Sequence, residues 1–142
     1  MVVVLDFGSQ YTQLIARRIR EQRVYSEILP WDAPPEEVLR RSPRGIVLSG
    51  GPASSLEPGA PVVAPEILAS SIPVLGICYG MQALTRSLGG TVRQGERAEY
   101  GRTRVKLLGS HALFEGVDRD LTVWMSHWDQ VETIPPGTVL LA

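Results

Sequence analysis

The chain has 142 residues, 44% of them hydrophobic and 20% charged, and at about 100–200 residues per domain it has room for one domain. Fourteen basic against 15 acidic side chains give a net charge of −1 with no basic block, which excludes the electrostatic footprint expected of a nucleic-acid or membrane-surface binder. A single cysteine, Cys78, excludes an internal disulfide and a multi-cysteine zinc site, and no signal peptide or long apolar run is present, so the sequence reads as cytoplasmic.

In chain order, residues 2–5 are a β-branched run ending at Asp6, and Leu14, Ile15 and Ile19 follow at helical spacing, which predicts strand, turn and helix. Residues 25–29 read as a second strand. Asp32 is a candidate cap for a helix whose first turn holds Pro34, Pro35, Glu36 and Glu37 and whose apolar side is Val38 and Leu39. Residues 45–48 are a third strand that runs into Ser49-Gly50-Gly51-Pro52. Residues 73–77 are a fourth, passing without a linker into a helix from Tyr79 to Leu88 that Gly89-Gly90 stops. Shorter strands follow at 91–93, 102–107, 121–125 and 138–141.

This order predicts an α/β, flavodoxin-like fold: an open, mostly parallel sheet with helices on both faces, followed by a mixed or antiparallel region in the last third. Ligands in such sheets bind beyond the carboxyl ends of the strands, so loops 6–12, 49–55 and 77–81 are the places to look. Residues 1–142 read as one domain. Its apolar last residues, Val139-Leu140-Leu141-Ala142, suggest one that is incomplete at its C-terminal end.

Gly76-Ile77-Cys78-Tyr79-Gly80 has the form Gly-x-nucleophile-x-Gly between an apolar strand and a helix, the pattern of a nucleophile elbow. Flanking glycines permit the bend, and Cys78 then lies at a helix N-terminus, where unpaired N–H groups and the positive end of the dipole stabilise an anion. Cys78 is therefore the candidate nucleophile, against the bland alternative of a small buried hydrophobe. The Gly50-Gly51 loop, at the same edge of the sheet, could supply a second oxyanion donor; its alternatives are a plain turn or a phosphate loop. Neither Gly-x-x-x-x-Gly-Lys-Ser/Thr nor Gly-x-Gly-x-x-Gly occurs, which leaves nucleotide binding little support.

Taken together, Leu48-Ser49-Gly50-Gly51-Pro52 and Gly76-Ile77-Cys78-Tyr79-Gly80-Met81-Gln82 resemble the class I, triad-type glutamine amidotransferases. Asp6-Phe7-Gly8-Ser9-Gln10-Tyr11, Arg97-Ala98-Glu99-Tyr100-Gly101 and Trp124-Met125-Ser126-His127 followed by Asp129 are similar to the amidotransferase part of the GMP synthase family. The resemblance covers the whole chain. It implies that Cys78 attacks the side-chain amide of L-glutamine, that the N–H groups of Gly51 and Tyr79 hold the oxyanion, and that Gln82, Ser126, His127 and Trp128 bind glutamine. Arg97, Glu99 and Tyr100 could relay nucleotide occupancy. No metal or cofactor is expected on these residues; ATP and Mg are expected in an ATP pyrophosphatase domain or subunit that receives the ammonia and aminates XMP.

The family's general base is a His-Pro-Glu motif farther along, and neither histidine here, His111 or His127, has a Glu two residues later. His111 reads as a solvated loop or helix-start residue. Other readings are a noncatalytic glutamine-binding or interaction module, the amidotransferase domain of another pathway, and an unrelated Cys-elbow hydrolase or redox protein, the last with no use for the 6–11 segment or Gln82.

Overall fold

The structure is a computed structural model that describes residues 1–142, apart from the side chains of residues 96–99. Arg97 and Glu99, the candidate relay residues beside Tyr100, thus lie outside the described residues.

Four strands, β1 (Val2–Asp6), β2 (Ser26–Pro30), β3 (Ile46–Leu48) and β4 (Val74–Gly76), form a parallel sheet in the order β2-β1-β3-β4. The helices are α1 (Thr12–Glu21), α2 (Pro35–Arg40), α3 (Pro65–Ala69) and α4 (Tyr79–Ser87). Two strands, β5 (Thr91–Lys106) and β6 (Asp120–Thr133), pair antiparallel as a separate ribbon. The predicted fold class is the observed one. No helix among the described residues is long and apolar enough to cross a membrane.

The β1 run Val2-Val3-Val4-Leu5 is apolar at every position because both faces of the sheet are covered. Successive side chains alternate between faces. Val4, with Val47 of β3, packs against Ala16 and the Ile15 and Ile19 side of α1. Val3 and Leu5, with Ile46 and Leu48, join the larger core on the other face, where Val38, Ile67, Tyr79 and Ala83 cover them from α2, α3 and α4. The strand order reverses direction between β1 and β3. Their loops diverge there, which is where open parallel sheets form a crevice.

Three expectations are corrected. Asp32 does not cap α2: the capping position is Pro34, with no side-chain hydrogen bond, because Pro35 at the first helical turn forces its predecessor into an extended conformation (ψ 129°). The strands foreseen at 91–93 and 102–107 are parts of one long β5, whose partner β6 likewise exceeds 121–125 at both ends. Residues 138–141 are not a strand. They follow a turn at Pro135-Pro136-Gly137 (Gly137 φ 78°), closed by Thr138 N–H and Oγ1 donating to the Pro135 carbonyl, and their one ladder-like contact is Leu108 N–H to the Leu141 carbonyl at 2.8 Å. Apolar content alone did not supply a pairing edge. Helix α3, unforeseen, begins with Pro65 in its first turn and is anchored by fully buried Ile67.

Candidate active site

Cys78 stands between β4 and α4 with φ 51° and ψ −112°, a conformation that costs a residue with a side chain about 1–3 kcal/mol. The close packing around it holds the bend. A Cβ on Gly76 would lie 2.7 Å from the Gly80 carbonyl oxygen and the Met81 nitrogen, and one on Gly80 would lie 2.4 Å from the Leu48 carbonyl oxygen. Ile77 N–H donates to the Leu48 carbonyl and Gly80 N–H to the Ser49 carbonyl, both at 3.0 Å, so the elbow is laced to β3 and the loop after it.

That loop passes beside the thiol: a Cβ on Gly50 would lie 3.5 Å from the Cys78 Cβ and 3.6 Å from the Ser9 Oγ. Its start is fixed at the strand-order reversal, where Ser49 N–H donates to the Leu5 carbonyl (3.0 Å) and Phe7 N–H to the Ser49 Oγ (2.9 Å). The Gly51 backbone runs so near the Phe7 carbonyl oxygen that a Cβ would come within 2.4 Å of it. Among the described residues, the backbone N–H groups of Gly51 and Tyr79 donate to no acceptor. Backbone N–H groups in a glycine loop beside a cysteine and at the helix start that follows it are the kind of donors an oxyanion site requires.

Tyr79, next to Cys78 in sequence, is buried with its ring against Phe7 (centroids 5.5 Å apart), and Phe7 in turn stacks on Trp31. Its hydroxyl donates to the Pro61 carbonyl at 2.7 Å, tying the start of α4 to the segment before α3. Burial raises its phenol above the ordinary value of 10.0. A raised folded-state value means that this contribution to stability is fully present below pH 10 and is lost as pH rises through the folded-state value. Tyr79→Phe is expected to cost about 1 kcal/mol at neutral pH and to flatten the loss of stability above pH 10, as urea midpoints measured across the alkaline range will show.

The residues predicted from the third region fall on β6. Ser126 and Trp128 project from the exposed face of the ribbon, with Trp128 51% exposed. His127 lies half-buried on the opposite face. Gln82 is buried, and its Nε2 donates to the Asp129 carbonyl at 2.9 Å, which binds α4 to β6. His111 caps the short 3-10 turn Ala112–Phe114, its Nδ1 accepting from Leu113 N–H. Among the described residues, no group of three or more His, Cys, Asp or Glu is placed to hold a metal ion.

Two residues entered the sequence reading only as members of motifs, with no role given to them. Ser9 lies in a loop that the topology marked, but only the fold sets it against Gly50. Asp129 is buried and its Oδ2 accepts from Ser54 Oγ–H (2.6 Å) and Ser55 N–H (3.0 Å), contacts across 75 and 74 residues that no local pattern reveals.

A cysteine on a strand-to-helix elbow, faced by a glycine loop at the crevice of a parallel sheet, places the chain among α/β proteins with a nucleophile-elbow architecture. The family model described as Glutamine amidotransferase class-I matches residues 3–142, and the chain belongs to that family. It is 54% identical over 136 residues to the GMP synthase (glutamine-hydrolyzing) of a Parafrankia species, covering 96% of this chain and 26% of that protein. It is also 54% identical over 144 residues to the enzyme of the same name from Thermus thermophilus, covering 100% of this chain and 28% of that one. The chain thus spans about a quarter of the length of these relatives. A crystal structure from Thermoplasma acidophilum, of a protein described as a GMP synthase subunit, is similar with a TM-score of 0.78 and 30% identity, over 95% of this chain and 68% of that one.

Proposed function

We propose that these residues form the glutamine-hydrolysing, ammonia-supplying domain of a GMP synthase. The observation that carries the reading is Cys78 on a positive-φ elbow at a helix start, with Gly50 alongside it, in a chain about half identical to GMP synthases throughout its length.

The Cys78 sulfur attacks the side-chain amide carbon of L-glutamine, and the carbonyl oxygen becomes an oxyanion that the N–H groups of Gly51 and Tyr79 stabilise. The C–N bond then breaks. A general base that takes the thiol proton as sulfur attacks returns it to the nitrogen, which leaves as ammonia, and water hydrolyses the resulting thioester to glutamate and the free thiol. Backbone groups of Ser126, His127 and Trp128 hold the substrate's amino and carboxylate groups, and Gln82 keeps their strand against α4. The ammonia goes to an ATP pyrophosphatase domain or subunit, which uses ATP and Mg to activate XMP for amination to GMP.

The general base is the part these 142 residues do not contain in the family's form, since no histidine is followed two residues later by Glu.

The test is peptide mass mapping of the 142-residue chain after treatment with a chloroketone analogue of glutamine, with iodoacetamide and excess glutamine as controls. Labelling of Cys78 that glutamine suppresses is the expected result. Labelling that is absent, or indifferent to glutamine, would overturn the assignment of a formed glutamine pocket.

A further inference from the structure

The loop opposite the thiol is held at two ends, and the two ends differ in kind. Ser49, at the start, is held by β1, its immediate neighbour in the sheet. Ser54 and Ser55, at the finish, are held by one oxygen atom of a residue on a different sheet, Asp129 of β6. Gly50, Gly51, Pro52 and Ala53 bridge the two attachments.

Asp129 is 6% exposed, and the ion pairs found among the described residues do not include it. A buried acidic side chain is costly unless it is hydrogen-bonded, and here Oδ2 accepts from two neutral donors of the loop. The backbone carbonyl of the same residue takes the Gln82 Nε2, one helical turn beyond Cys78. Asp129 therefore grips both walls of the crevice: the loop that faces the thiol through its side chain, and the helix that carries the thiol through its main chain.

We propose that Asp129 is a positioning residue for the reaction at Cys78, setting the distance between the Gly51 N–H and the sulfur by holding Ser54 and Ser55. The proposal rests on the function proposed above only for its catalytic consequence; the mechanical coupling of β6 to loop 49–55 stands apart from it. Asp129 touches no reacting atom. Its removal moves an oxyanion donor while leaving the nucleophile and the substrate-holding strand in place.

The experiment measures the limiting rate and half-saturation concentration of Cys78 inactivation by the glutamine chloroketone, together with hydrogen exchange of the peptide covering residues 50–56. Asp129→Ala is expected to lower the limiting rate by about 100-fold, the usual result of misplacing a reacting group by an ångström. The half-saturation concentration should stay within about threefold, because ground-state binding is unaffected. Exchange at 50–56 should quicken. Asp129→Asn, whose amide oxygen can still accept from both serines, is expected to restore most of the rate, and Ser54→Ala, which removes one of the two donors, to lie between.

A folded Asp129→Ala chain with the wild-type limiting rate and wild-type exchange at 50–56 would overturn the proposal. So would a loss that Asp129→Asn shares in full, since that marks a need for the acidic group and not for the acceptor. If Asp129→Ala does not fold, Ser54→Ala decides by the same two readouts. If the wild-type chain shows no glutamine-protected labelling, the proposed function fails while the exchange measurement still decides whether Asp129 holds the loop.

Discussion

Gly80→Ala is expected to destabilise the domain by about 3 kcal/mol or more, at the upper end of overpacking penalties, and to lower its urea midpoint accordingly. The added methyl would sit 2.4 Å from the Leu48 carbonyl oxygen and 2.6 Å from the Leu48 Cβ. Neither atom can yield cheaply. Leu48 is fully buried, and β3 is paired on both sides, with β1 and with β4. The clash is relieved by lifting α4 off the sheet, which breaks the Gly80 N–H to Ser49 carbonyl bond and loosens the Tyr79 and Ala83 contacts in the main core. Gly45→Ala is the control: its added methyl would meet the Pro73 carbonyl and Val2 at 3.8 and 3.9 Å, ordinary contact distances, and should leave the midpoint nearly unchanged. Equal midpoints for the two variants would refute the packing argument.

Gly51→Ala is expected to act on the site more than on the fold. Its methyl would come 2.4 Å from the Phe7 carbonyl oxygen, and Phe7 is itself buried between Trp31 and Tyr79. The loop is the softer partner, being pinned at Ser49 and at Ser54 but bridged between by Gly50, Gly51, Pro52 and Ala53. It should move away from β1, carrying the Gly51 N–H with it. In the function proposed above the Gly51 N–H is an oxyanion donor, and losing one such donor lowers turnover by about 100- to 1,000-fold in related chemistry. The limiting rate of glutamine-analogue labelling should fall on that scale, with the iodoacetamide reaction of Cys78 little changed. Equal slowing of both reagents would mean that the thiol itself had been buried or displaced.

The elbow was legible in the sequence because its constraints are local. Gly76 and Gly80 lie within two residues of Cys78, and the close approaches around Gly76 arise within one strand, one bend and one helical turn. The parallel sheet was legible for a related reason: short runs apolar at every position, separated by helical patterns, leave no polar face to expose. What failed were inferences from a single property. Asp32 has a capping side chain, but the prolines after it set where α2 begins. Residues 138–141 have strand-like composition, but Pro135, Pro136 and a positive-φ Gly137 lead them away from an edge. The exposed and inward sides of β6 also waited for the structure, since alternation shows that Ser126 and Trp128 share a face but not which way that face looks.

By itself the sequence determined the fold class, the elbow at Cys78 and the two glycine-bearing segments that meet there, because each is written in the spacing of a few neighbouring residues. Only the tertiary structure decided how the crevice is braced. Ser9 against Gly50, Gln82 against the Asp129 carbonyl, and Ser54 and Ser55 against the Asp129 side chain are contacts between groups brought together by folding. Such contacts depend on strand order and on the placement of the ribbon beside the sheet, and partners separated by 47, 74 or 75 positions carry no local signal of them.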